Sequence, residues 1–347
     1  MKIYKGKRMK ISILIFTLFL MCALFGYSKE KTIRVAAVQL NVKVGELDAN
    51  MANAEKFMRI AFEQKADLVV LPEFFTTPAQ GFPYTDKTLE AICPLEGKPT
   101  QLLKKLAREY NGIVGGSFIA FKDKDVYNSF VLAFPDGKIF VHNKDYPTSS
   151  ENCYYTGGDD DGAFETPIGN IGVALCWEYI RTGTAKRLLD RVDIVIGGSC
   201  WPSREDPEIE PDNSNLTLLK PVPAQFARLV GVPVVHTNHV GRVKYPSPED
   251  PSKMQVRYFL GVTQIVDGHG KIIKMLDYED GESVTLTEVT LGKVVGPTEP
   301  IPERFWIPEL SEETHKYWKD SLSGPFRKYY EETTRLYCLK KWPKKKL

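Results

Sequence analysis

Three residue types that together perform thiol chemistry each close an apolar run in this chain. Cys176 follows Ile-Gly-Val-Ala-Leu at 171–175, Glu73 follows Asp-Leu-Val-Val-Leu-Pro at 67–72, and Lys144 follows Lys-Ile-Phe-Val-His-Asn at 138–143. A buried strand that stops on a reactive side chain presents it at a strand-to-loop edge, where a substrate can reach it. A thiol with a pKa of about 8.5 is mostly protonated at neutral pH, so a nucleophilic cysteine needs a base or a cation beside it. Glu73, partly desolvated at the mouth of an apolar strand, is expected to gain base strength and take the proton of Cys176. Lys144 is expected to favour the thiolate and to hold the oxyanion of a tetrahedral intermediate, with the backbone N–H of Trp177 as second donor. Taken singly, each residue has a plainer reading as core cysteine, surface carboxylate or surface cation. Periodicity alone leaves both readings open.

The surrounding elements must bring these three together. Residues 32–40 read as a buried strand, and 48–64 carry helical apolar spacing through Ala52, Ala54, Phe57, Met58 and Ala61. A strand at 68–71, a helix at 100–110 and strands at 113–120, 128–134 and 139–142 follow. A long irregular segment, 145–162, leads to the strand that ends on Cys176. Beyond it come a short helix (184–190), a strand (192–196), a helix (221–230) and a strand (232–237). Strands at 258–266 and 271–275 flank the turn Asp267-Gly-His-Gly270. Alternation of strands and helices argues for an α/β fold. The consecutive strand runs at 113–142 and 258–291 favour stacked sheets flanked by helices over one doubly wound sheet. Residues 311–337, rich in Trp, Tyr, Glu and Lys, read as helical.

Composition narrows the class. The 347 residues are 43% hydrophobic, enough for one large domain with a substantial core. At the N-terminus, Lys2, Lys5, Lys7, Arg8 and Lys10 precede an uncharged apolar stretch at 11–25, and small residues follow at 26–28. That layout predicts a secretory signal over residues 1–28 and an exported, periplasmic or secreted protein; a retained membrane anchor is the alternative. Loss of 1–28 takes the net charge from +2 to −3, so the basic bias belongs to the leader and nucleic-acid binding is not expected. Five cysteines remain: Cys93, Cys153, Cys176, Cys200 and Cys338. In an oxidising compartment four could pair, with Cys176 the free one on chemical grounds. Neither cysteines nor histidines have metal-ligand spacing, and His236 and His239 read as satisfied core or loop histidines. No metal or organic cofactor is expected.

The motifs Val-Ala-Ala-Val-Gln-Leu at 35–40, Leu-Pro-Glu-Phe at 71–74, His-Asn-Lys at 142–144 and Gly-Val-Ala-Leu-Cys-Trp-Glu at 172–178 resemble, in order and separation, those of the nitrilase (carbon–nitrogen hydrolase) superfamily. The resemblance covers roughly residues 32–292. It implies a four-layer αββα sandwich, two stacked mixed sheets flanked by helices, and a triad of Glu73 as base, Lys144 as oxyanion stabiliser and Cys176 as nucleophile. Glu151 stands where members often carry a second glutamate and would orient Lys144 or the substrate. Stretches near 144–159 and 176–178 look like the nitrilase branch, whereas 227–241 and 258–270 look more like amidase branches. The implied reaction is hydrolysis of an amide or carbamoyl compound through a thioester; nitrile hydrolysis is the runner-up, and a silent binding protein or an acyl transferase is less favoured. Trp177, Trp201, Tyr154 and Tyr155 are candidates to line an aromatic substrate pocket. A domain at 29–299 and a helical extension at 300–347 are expected, with a homodimer or larger assembly. Membrane contact is expected only through an uncleaved leader.

Overall fold

In the computed structural model, residues 31–79, 86–210, 213–246, 250, 252–296 and 298–343 are described. The leader expected over 1–28, and with it the question of export, lies outside them. Among the described residues no helix is long and apolar enough to cross a membrane.

In chain order the strands are β1 (Thr32–Gln39), β2 (Leu68–Val70), β3 (Cys93–Pro94), β4 (Ile113–Lys122), β5 (Asp125–Ala133), β6 (Ile139–Asn143), β7 (Ala163–Thr166) and β8 (Gly169–Leu175). They continue as β9 (Ile194–Gly198), β10 (Pro202–Ser203), β11 (Val234–Thr237), β12 (Val240–Pro246), β13 (Met254–Leu260), β14 (Thr263–Val266), β15 (Ile272–Leu276) and β16 (Ser283–Thr290). One sheet runs β16-β1-β2-β4-β5-β6, with β3 paired to β4; a second runs β15-β14-β11-β9-β8-β7. Both are mixed: β1-β2-β4 and β8-β9-β11 are parallel cores, and antiparallel strands flank each.

Strand alternation explains the layering. Ile33, Val35 and Ala37 point between the two sheets, where they join Val173, Leu175, Ile194 and Ile196. Ala36 and Val38, on the other face of β1, pack with Phe57 and Met58 of the helix Leu47–Glu63 and Leu103 and Leu106 of the helix Lys98–Tyr110. The outer face of the second sheet is covered likewise, with Val195 and Val234 against Ala185, Leu188, Phe226 and Ala227. Period-two strands buried on both faces give helix, sheet, sheet, helix. The four-layer sandwich is therefore the fold.

Two expectations need correction. The run at 258–266 is not one strand: β13 pairs with β10 and β12 in a separate three-stranded sheet, while β14 belongs to the second large sheet. The break comes at Gly261 and Val262, with φ of 67° and 61°, a left-handed turn that a β-branched valine adopts only under tertiary constraint. The helical stretch at 311–337 is likewise interrupted. It splits into Glu312–Ser321 and a second run from Pro325 to Lys341 with a π turn at Tyr330–Thr334, and Gly324 (φ 75°) makes the corner.

Candidate active site

Glu73 lies just past β2, Lys144 just past β6 and Cys176 just past β8, so three strand ends deliver them to one place. The Nζ of Lys144 donates to Glu73 Oε1 at 2.9 Å and to Glu151 Oε2 at 2.9 Å. Glu73 and Lys144 are wholly inaccessible to solvent, and Cys176 and Glu151 are buried. The Glu151 carboxylate also accepts from the Thr148 N–H at 2.8 Å and from the hydroxyl of Tyr155. A short 3₁₀ turn, Ser149–Cys153, inside the segment expected to be irregular, carries it, and the Glu151 N–H donating to the Thr148 carbonyl at 3.0 Å closes that turn.

Glu73 is satisfied on both oxygens. Asn128 of β5 donates to Oε1 at 2.8 Å, and the Cys200 N–H donates to Oε2 at 2.9 Å. Cys200 follows the glycine-rich end of β9, where a Cβ on Gly198 would fall 2.2 Å from Thr237 Oγ1. Only glycine lets β9 run close enough to β11 to present that amide. His239 holds the other side of Glu73: its Nε2 donates to the Glu73 carbonyl oxygen at 2.7 Å. Burial keeps His239 neutral, lowering its pKa to about 4, so its single ring proton belongs on this shorter contact. The backbone is strained at the same points. Cys176 has φ of 50° and Phe74, next to Glu73, has φ of 59°. Such non-glycine conformations cost on the order of 1 kcal/mol each and persist where the surroundings over-determine them.

The electrostatics separate the roles. Burial raises the Glu73 pKa to about 7 against the opposing pull of Lys144, the range suited to a base at neutral pH. Burial drives the Cys176 thiol well above its usual value, and the Glu73 charge adds to this while Lys144 opposes it. The resting sulfur is thus a thiol: the Lys144 charge pulls towards the thiolate, as expected from sequence, but burial outweighs it. Burial disfavours charge on Lys144 too, but Glu151 and Glu73 outweigh it and hold the ammonium protonated.

A second buried network fixes the turn after Cys176. Glu178 accepts from the Leu175 N–H at 2.7 Å and from the Asp145 N–H at 3.0 Å, bonding the residue before Cys176 to the one after Lys144. His142 bridges Glu178, at 3.0 Å from Nε2, and Asp160, at 2.6 Å from Nδ1. Arg187 also reaches Glu178, at 3.1 Å. Burial works against charge on His142, yet Glu178 and Asp160 carry its pKa up to about 9. With both ring nitrogens facing carboxylates, His142 is an imidazolium. Its contribution is present below its unfolded pKa and is lost as pH rises through about 9. Glu178→Gln removes one partner and should lower stability by about 2–3 kcal/mol, with the loss largest in mildly acidic solution just below pH 6.5 and shrinking in thermal melts as pH rises towards about 9.

Sequence reasoning gave no role to Asn128, His142, Glu178 or the Cys200 amide, although His142 and Glu178 stand inside the quoted motifs; His239, read as a satisfied core or loop histidine, is a buried one. Of the candidate pocket residues, Tyr155 is buried against Glu151, and Tyr154 packs with Phe74, Cys153 and Tyr330. Trp177 is half-buried, its ring 6.0 Å from that of the buried Trp201. All five described cysteines are free and buried.

Residues 34–296 match the sequence profile of a family described as carbon–nitrogen hydrolase. A nitrilase of Pyrococcus abyssi is 33% identical over 47% of this chain, and the alignment spans 63% of that protein, less than two thirds of its length. An N-carbamoylputrescine amidase of Oryza sativa is 28% identical over 76% of this chain and 87% of its own. Among solved structures, a carbon–nitrogen hydrolase of Helicobacter pylori superposes with a TM-score of 0.64 at 21% identity, covering 75% of this chain and 90% of the other.

Proposed function

This chain belongs to the carbon–nitrogen hydrolase family, and from that premise we propose that it hydrolyses a small amide or carbamoyl compound through a thioester on Cys176. The observation that carries the reading is the buried Glu73–Lys144–Glu151 ion chain beside a thiol held on a strained turn. Glu73 takes the thiol proton as sulfur attacks the carbonyl carbon. The C=O electrons move to oxygen, and Lys144 stabilises that oxyanion. An ammonium has three donors, of which Glu73 and Glu151 engage two; the third is left for the oxyanion. The Trp177 N–H, at the start of the 3₁₀ turn Cys176–Ile180, is the second donor. Collapse returns the proton from Glu73 to the departing ammonia or amine and leaves the thioester. Glu73 then deprotonates a water that attacks the thioester, releasing the acid and restoring the thiol.

Amides are favoured because three relatives aligned over 87–89% of their length are named N-carbamoylputrescine amidases. The nitrile reading rests on relatives named nitrilase or probable nitrilase and on Cys176-Trp177-Glu178. A panel of simple amides, N-carbamoyl amines and nitriles, scored for ammonia, separates the two. Acid and ammonia from nitriles alone would overturn the amide reading. Because Glu73 must be ionised while Cys176 stays protonated, kcat/KM should rise with pH through about 7 and then level off. A profile flat from acid to neutral pH would remove Glu73 from the role of base.

A further inference from the structure

The segment beyond the family-matched residues reaches the nucleophile's turn. Trp306 forms an isolated antiparallel bridge with Arg181. The Thr182 N–H donates to Phe305 O at 3.0 Å and the Ile307 N–H to Ile180 O at 2.8 Å. Residues 305–307 are thereby zipped to the chain five residues past Cys176. Trp306 is only 3% exposed and shares one buried cluster with Cys176 and Trp201. Its ring stands edge-on to Trp177 at 5.4 Å and 87°, and Trp177 in turn lies 6.0 Å from Trp201. Three indoles thus adjoin in series as one aromatic wall within the buried cluster that holds Cys176, and the Trp201 Nε1–H is already taken by Asn215 at 3.3 Å.

The charge pattern around this wall decides what it suits. The charged group over Trp306 is the buried Arg181 guanidinium, 5.8 Å from the ring centre and paired with Asp145. A cation already uses that indole's π-system, so a protonated amine brought to the wall loses its hydration without gaining that ring's cation–π attraction. A flat uncharged group gains the apolar burial and edge-to-face contacts without that cost.

We propose that Trp306 is a specificity-determining residue, acting by backing Trp177, and that the site selects acyl groups ending in a flat uncharged ring over those ending in a protonated amine. This rests on the reading of Cys176 as the residue that takes the acyl group. Binding to the Cys176→Ala protein tests the wall without turnover. In ligand-observed NMR titrations, 3-phenylpropionamide should bind at least about tenfold tighter than propionamide or 4-aminobutyramide. Adding Trp306→Ala should bring the three within about threefold, and Trp306→Phe should restore most of the preference. Trp306→Leu, which keeps apolar volume without a ring, carries the same expectation as alanine and serves if the alanine variant does not fold. Equal binding of the three amides, or a preference that survives Trp306→Ala or Trp306→Leu, would overturn the proposal. Binding as expected with no ammonia from the Cys176-containing protein would sustain the wall and reject the hydrolytic mechanism instead.

Discussion

Cys176→Ala is expected to cut ammonia release from any accepted amide by about 10⁴-fold or more, because it removes the sulfur proposed to carry the acyl intermediate. The substitution removes one buried sulfur and should leave the fold in place. Intact-mass measurement gives the paired result: an acyl adduct trapped on the wild-type chain and none on the variant. Cys200 is the informative control, since it is also buried and its N–H bonds Glu73. Its thiol is pushed up by burial in the same way, yet its chain position offers no helical turn behind it. Glu73→Gln should lower turnover by about 10²–10⁴-fold by removing the base. It also turns one accepted hydrogen bond into a donor facing a donor, either at Cys200 N or at the Lys144–Asn128 side, costing about 1–3 kcal/mol. Turnover of Cys176→Ala within tenfold of wild type would end the covalent reading.

What the sequence made legible follows from which forces are local. The apolar runs that become β1, β2 and β8 are buried on both faces, so their hydrophobicity is continuous and their last residues stand out. That is why Glu73 and Cys176 were visible as strand-end residues. Asn128 and His142 sit inside β5 and β6, where an isolated polar residue on a strand has many uses. Their roles depend on pairings 55 and 36 residues away in the chain, which no window of local pattern contains. The Val262 turn was hidden for the opposite reason: valine signals strand, and tertiary packing overrides it. The tail shows both limits. Its aromatic spacing predicts helix, but not that Tyr330 would bury its ring and bond the Val126 N–H at 3.1 Å, nor that Thr334 would bond the Cys153 carbonyl at 2.6 Å. The Thr334 contact ties the tail to the turn that carries Glu151.

Lys144→Met should be the most damaging change to stability as well as to rate. The ammonium is the cation bonded to both Glu73 and Glu151, and all three side chains are buried. Two buried carboxylates left without it cost about 3–5 kcal/mol, the usual penalty for breaking a buried ion pair from one side. The sign of the pH dependence identifies this cause. Without Lys144 the folded pKa of Glu73 must rise beyond about 7, since the ammonium now lowers it. A carboxyl whose folded pKa exceeds its unfolded value favours the folded state below the unfolded pKa, and that contribution is lost as pH rises through the folded one. The variant should therefore be closest to wild type in acid and furthest from it above neutral pH. Adding Glu151→Gln should recover part of the loss, a coupling that independent sites would not show. Lys144→Arg should not rescue activity, because a planar guanidinium cannot occupy a fully buried ammonium site without displacing Glu73 or Glu151. Removing the oxyanion donor should further lower kcat by about 10²–10³-fold in whatever fraction remains folded. Melting curves that fall equally at all pH values would place the damage in packing, and the ion chain would lose its claim to hold the site together.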